Sequence, residues 1–133
     1  RKLTLRIASL PGLILLKLLA WDNRHETRDA WNVLSLLRNY NLIVDNARIF
    51  AEEALYKSLG YDAEKAGAAL LGKDAAFIAN LTTLTIARKI VSDGIEKGNL
   101  ASQIGSGLKS VDAEDQISVA EGLLHAFLIG FTK

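Results

Sequence analysis

Pro11-Gly-Leu-Ile-Leu-Leu-Lys-Leu-Leu-Ala-Trp-Asp-Asn-Arg-His-Glu-Thr-Arg-Asp-Ala-Trp31 is the stretch that decides how this chain is read. The part before Trp21 is apolar around nearly its whole helical circumference, the pattern of a helix buried on every side. Lys17 interrupts it, and an ammonium in such a setting is costly unless it reaches an anion or water. Arg24 follows seven residues later, about two helical turns on, and the Arg28–Asp29 pair comes next. Two readings are open. In one, Lys17 and Arg24 clamp the phosphates of a nucleoside triphosphate, the lysine as a point charge and the arginine as a bidentate fork. Asp29, with Arg28 beside it, then orients these groups or completes an acidic site. In the other, Lys17 snorkels from a core helix and the remaining charges form a structural salt-bridge cluster. The Lys-x6-Arg spacing alone is a weak motif.

Outward from this stretch the chain reads as helix after helix. Upstream, residues 2–8 alternate apolar and polar side chains and read as a half-buried strand. A lone strand needs partners, so its sheet lies elsewhere. Ser9 and Pro11 open a helix that runs to about Trp21, and residues 22–26 form a polar break. A second helix starts at Thr27 or Arg28, with Trp31, Leu34, Leu37 and Tyr40 on one face, and residues 39–41 end it. A third spans 42–58, closed by Gly60 in the left-handed conformation. Asp62 caps a short helix over 63–71 ended by Gly72, and Asp74 caps a long one over 75–97. Gly98 and the Gly105–Gly107 stretch punctuate a looser region. Asp112 and Asp115 open a last helix over 113–129, ended by Gly130.

Bulk properties narrow the function. At 133 residues the chain is long enough for one domain with a core. It is 50% hydrophobic with mean hydropathy +0.17, oily enough to suggest apolar surface that meets another subunit or domain. A net charge of +1 gives no global case for nucleic acid or an anionic membrane. The absence of Cys removes disulfides and thiolate metal sites. His25 and His125 are too far apart in sequence to form a metal-spacing pair. Arg6 and Lys17 break the early apolar run, so neither a signal peptide nor a membrane span is expected, and the chain reads as cytoplasmic. It starts with Arg and holds no Met, so it reads as part of a longer frame or as one from which methionines are missing.

The segment from Leu10-Pro11 through Lys17-Leu-Leu-Ala-Trp21 and Arg24 to Arg28-Asp-Ala-Trp-Asn-Val33 and Leu36-Leu37 resembles the second half of the AbiEii-type nucleotidyltransferases. These are toxin components of abortive-infection, type IV toxin–antitoxin systems, with their relatives. Gly67-Ala-Ala-Leu-Leu-Gly-Lys-Asp74 is similar to a stretch of some relatives. The resemblance implies that Lys17, Arg24 and Arg28 bind the nucleotide and that Asp29 is the acidic residue of the last catalytic motif. Many relatives have a second Asp where this chain has Asn32, which cannot act as a carboxylate base or a charged metal ligand. The family's Gly-Ser motif and Asp-x-Asp metal pair are missing here. Gly105-Ser106 followed by Asp112 and Glu114 mimics them in reversed surroundings and reads as a loop and a cap. The resemblance therefore places the Mg2+ ligands outside this chain and implies an NTP, an RNA or protein acceptor, and an antitoxin as partners.

Other residues read as structural. Gly105-Ser-Gly107 is too short for a phosphate loop. Arg88-Lys89 forms a solvated face, and Glu52-Glu53 and Glu114-Asp115 are surface acids. His25 is an exposed loop residue, and His125 a core histidine. Trp21 and Trp31 are packing anchors without a basic track around them.

The fold expected is mainly α. It is a bundle of about six helices over 10–133 after one strand in 1–9, the C-terminal part of an α+β nucleotidyltransferase. The function expected is transfer of a nucleoside monophosphate from an NTP. The alternative is a non-catalytic helical interaction domain that binds an antitoxin or a second copy of itself.

Overall fold

A run of small residues organises the molecule. In the computed structural model, which describes residues 10–132, Ala66, Gly67, Ala68, Ala69, Gly72, Ala75 and Ala76 are all buried along one helix. That helix is flanked by neighbours that come unusually close. A Cβ on Gly72 would fall inside contact distance of the Phe127 carbonyl oxygen, and one on Gly130 would collide with the Ala69 carbonyl. A Cβ on Gly67 would press on the backbone of Asn41 at 2.6 Å. Backbone-to-backbone approach of this kind needs glycine at the crossing point.

Eight helical segments follow one another among the described residues: α1 (Leu10–Arg24), α2 (Thr27–Ile43), α3 (Asn46–Ala51), α4 (Glu53–Ser58), α5 (Ala63–Ile78), α6 (Leu81–Glu96), α7 (Asn99–Gly105) and α8 (Ala113–Gly130). The small-residue helix is α5. It packs most extensively on α8 and then on α2, with α1 also against it, while α7 joins α8 to α2. Ile14, Leu18, Leu37, Leu70, Leu71, Leu100, Ile104, Leu123, Leu124, Phe127 and Phe131 fill the core. The mainly α bundle expected from the sequence is what the chain forms. The expected strand at 2–8 lies outside the described residues.

Several element boundaries differ from those read in the sequence. Asparagines at 39 and 41 do not end α2. Asn39 Nδ2 donates to the Ser35 carbonyl at 2.9 Å, one turn back, and the helix continues to Ile43. The single helix expected over 42–58 is two six-residue helices with Glu52 between them. Gly60 is left-handed as expected, with φ +70°. Gly72 does not end a helix; it lies inside α5 as the contact point for α8. Asp74 does not cap one either. The turn between α5 and α6 falls at Ala79 and Asn80, and Asn80 is the cap, its side-chain oxygen accepting from the Thr83 N–H at 2.8 Å. The looser region after Gly98 contains α7. His125 is exposed, not in the core, and Arg88 is not simply solvated, since its guanidinium donates to the Phe131 carbonyl.

Asp74 has a different task. Arg48 of α3 grips its carboxylate with two hydrogen bonds, 2.8 and 2.9 Å, and the Tyr40 hydroxyl of α2 donates to it as well. Burial would raise the Asp74 pKa, but the bonds from Arg48 and Tyr40 outweigh burial and hold it below the usual carboxylate value. Burial, followed by the bond to Asp74, pushes the Tyr40 hydroxyl above its ordinary value. This cluster pins α3 to the α2–α5 pair.

Two consequences can be measured. Gly72→Ala gains about 1 kcal/mol of helix propensity, Gly130→Ala less because it ends α8, and both force α5 and α8 apart. The net effect expected in urea unfolding is a loss of about 2 kcal/mol or more. Gly122→Ala, whose Cβ meets only the flexible end of Lys65, is expected to be neutral or stabilising.

The depressed Asp74 pKa contributes stability above the ordinary Asp value, about 4. That contribution is lost as pH falls through the folded-state value. Asp74→Asn is expected to flatten the acid limb of a stability–pH profile, and an unchanged limb would contradict the role assigned to this cluster.

Candidate functional site

The corner between α1 and α2 is built by the residues that the sequence singled out. α1 ends at Arg24, and His25 turns the chain in a left-handed conformation, φ +51°. The imidazole of His25 stacks on Trp21 at 4.4 Å and 18°. Gln103 of α7 fastens this turn from the other side. Its side-chain oxygen accepts from Trp21 Nε1, and its amide nitrogen donates to the His25 carbonyl at 3.0 Å. Trp21 is the buried packing anchor that the sequence suggested.

Asp29 sits in the first turn of α2, where the helix dipole favours a negative charge. Its side chain is 1% exposed, and both carboxylate oxygens are taken by Arg24: Nε at 2.8 Å and Nη2 at 3.1 Å. This bidentate bond holds the Asp29 carboxyl below its usual range against the opposing effect of burial, with help from the charges of Arg24, Lys17 and Arg28. In turn it raises the Arg24 pKa. Arg24 is half-exposed and also approaches Glu26 at 3.6 Å. In this geometry Asp29 orients Arg24 and does not face solvent. The structural ion-pair reading therefore describes Arg24 and Asp29, while Arg28 is exposed.

Lys17 stands apart from that pair. No carboxylate lies within 4 Å of it among the described residues. It lines a cleft of about 240 Å3 with Leu13, Asn32, Ser35 and Leu36, so Asn32 is a neighbour of the lysine. Ser35 also borders a larger cleft of about 430 Å3, whose polar lining comes from Trp31, Arg38, Asn39 and Lys109. Trp31 is 43% exposed, which corrects its reading as a packing anchor. Its Nε1 donates to Ser106 Oγ at 3.0 Å and to the Gln103 carbonyl at 3.2 Å, so the ring is fixed. The Lys109 ammonium lies 5.8 Å from the ring centroid, and Arg38 makes one long ion pair with Glu64, 3.5 Å.

The sequence reading missed this second cleft. Trp31, Ser35 and Arg38 fall at i, i+4 and i+7 on one helix face, which was a legible signal. The approach of Lys109 from the α7–α8 connection was not.

The acids fit a metal poorly. Asp29 has no free oxygen, and neither cleft is lined by a carboxylate. Asp112, Glu114 and Asp115 bring oxygens within 4.8 Å of one another at the start of α8, all exposed, and Asp112 makes no side-chain cap bond there. An exposed acidic trio at a helix start is ordinary surface. No helix among the described residues is long and apolar enough to cross a membrane. Comparison with protein-family models, with curated proteins and with solved structures finds no match for this chain.

If Asp29 is the internal counter-charge of Arg24, the two residues must couple. Arg24→Ala is expected to lower the urea midpoint markedly in the wild-type background, where it strands a buried carboxylate, and much less in an Asp29→Asn background. Additive effects would show that the pair is not an energetic unit.

Proposed function

We propose that this chain is the helical part of a metal-dependent nucleotidyltransferase, and that Lys17 takes the phosphates of a nucleoside triphosphate where α1 meets a second protein body. The observation that supports this is the incomplete cover of α1. The helix is apolar nearly all round, yet Leu16 and Leu19 are 64% and 37% exposed, on either side of Lys17. Gly12, Leu16 and Leu19 share one helical stripe, at i, i+4 and i+7. A Cβ on Gly12 would sit 3.6 Å from the Ile78 methyl, so the exposed side chains of Phe77, Ile78 and Leu81 extend the same apolar surface. A helix of this composition calls for cover. The catalytic sheet implied by the AbiEii-type resemblance would supply that cover, with the triphosphate at its edge.

In this reading Lys17 neutralises phosphate charge. Arg24, held still by Asp29, offers its remaining N–H donors, and the exposed Arg28 adds a further positive charge. Mg2+ is assigned no ligand in this chain and belongs to the acids of the implied sheet. The adjoining cleft suits a nucleic-acid acceptor better than a protein hydroxyl, because a fixed indole with Arg38 and Lys109 beside it can stack a base and hold a phosphate. A role as the toxin of a toxin–antitoxin pair follows from the resemblance alone.

The second reading, a non-catalytic interaction domain, is favoured by Phe77. At 85% exposure it carries the apolar surface beyond what a Lys17 site needs. An antitoxin or a second copy of the chain would then occupy that face.

Calorimetric titration of the four common NTPs with magnesium separates the two readings. Lys17→Ala is expected to weaken binding about tenfold, ~1.4 kcal/mol, with the melting temperature little changed because Lys17 makes no ion pair among the described residues. No binding by the wild type, together with an oligomer that Leu16→Ser and Phe77→Ser convert to monomer, would replace the nucleotide reading with the interaction domain.

A further inference from the structure

We infer that the pocket formed by α3, α4 and the turn after α4 receives a trimethylammonium group carried by a small ligand. This site shares no residue with the Lys17 and Trp31 clefts, and the inference does not rest on the nucleotidyltransferase reading.

Four side chains line the pocket, Phe50, Glu53, Tyr56 and Tyr61, around a volume of about 340 Å3. The Phe50 and Tyr56 rings meet at 80° with centroids 6.4 Å apart, and those of Tyr56 and Tyr61 at 89° with centroids 5.3 Å apart. Rings set nearly at right angles form a corner, and each ring face carries the negative side of an aromatic quadrupole. A quaternary ammonium has no N–H to donate, so water and carbonyl groups hold it weakly. Aromatic faces joined to a nearby negative charge hold it better. Glu53 is that charge. It has no cationic partner within 4 Å among the described residues.

Tyr56 leans on the core with one side, and the helix-ending turn after α4 brings Tyr61 against it at the surface. α4 contributes no buried side chain, and Phe50 and Tyr61 are 68% and 58% exposed. Tyr61 has φ +58°, directly after Gly60 at +70°. Two consecutive left-handed residues, the second an aromatic, are an uncommon and costly choice. They turn the chain back so that the Tyr61 N–H bonds the Tyr56 carbonyl at 3.0 Å and the two rings meet. A purely apolar occupant would make no use of Glu53. A primary ammonium would keep its hydration and gain less from the rings.

The test is an amide chemical-shift titration of the intact chain with choline chloride. It is run beside 3,3-dimethylbutan-1-ol, the uncharged molecule of the same shape, and beside sodium chloride. Saturating shifts confined to residues 50–61 are expected with choline, and binding of the neutral analogue about three- to fivefold weaker. Glu53→Gln is expected to weaken choline by a similar factor. Tyr61→Leu, at an exposed position, is expected to abolish the response without loss of fold, and Tyr56→Leu provides a second check on the rings. Equal binding of the neutral analogue, shifts reproduced by sodium chloride, shifts scattered over the molecule, no response to choline, or an unaffected Glu53→Gln variant would each overturn the inference. Free trimethyl-lysine, titrated in parallel, assigns the source: tighter binding than choline points to a methylated amino acid, and weaker binding to a choline-type ligand.

Discussion

The structure depends on how closely backbones can approach α5. Where α8 and α2 cross it, glycines at 67, 72 and 130 leave room for main chain to meet main chain. Contact at that range engages many atom pairs at once, each worth little and together a great deal. It also fixes the geometry of everything else. α2 is set by its crossing with α5, α1 is set against both, and the α1–α2 corner with Lys17, Arg24 and Asp29 inherits its position from that stack. The polar cluster of Tyr40, Arg48 and Asp74 then carries α3 along.

Local signals in the sequence were read correctly where the physics was local. The mainly α character, the Asp62 cap that accepts from the Lys65 N–H, the left-handed Gly60 and the opening of α2 at Thr27 all follow from a few neighbouring residues. Some of the misreadings share a cause. Gly72 has the same composition signal whether it ends a helix or admits a neighbour. Asp74 looks like a cap until Arg48 and Tyr40 arrive from other elements. His125 sits in an apolar helix, but on its open side. For Gly72 and Asp74 a long-range contact decided the outcome, and no short window contains it.

The candidate site was legible in its parts and not in its division of labour. Arg24, Arg28 and Asp29 do meet at the α1–α2 turn, while Lys17 lies about two turns back along α1 in its own cleft. Yet two of them satisfy each other, and among the described residues Lys17 and Arg28 have no carboxylate partner. Burial explains the split. Asp29 is enclosed at the start of α2, where a bare carboxylate would be very costly, so the nearest fork-shaped cation is drawn to it. Lys17, on a flexible stem at the edge of a cleft, meets water and needs no such partner.

Gln103 gives the corner a polarity in the literal sense. Its side-chain oxygen faces an indole N–H and its nitrogen faces a backbone carbonyl, while its own carbonyl accepts from the second tryptophan. Only a primary amide of this length offers a donor and an acceptor at that place. A carboxylate would repel the His25 carbonyl, an ammonium would oppose the Trp21 N–H, and the shorter Asn would reach neither. The two tryptophans, one sealed in the core and one open to the cleft, therefore share a single handle on α7. The backbone of Gln103 holds the indole of Trp31, and its side chain holds the turn from which Arg24 projects.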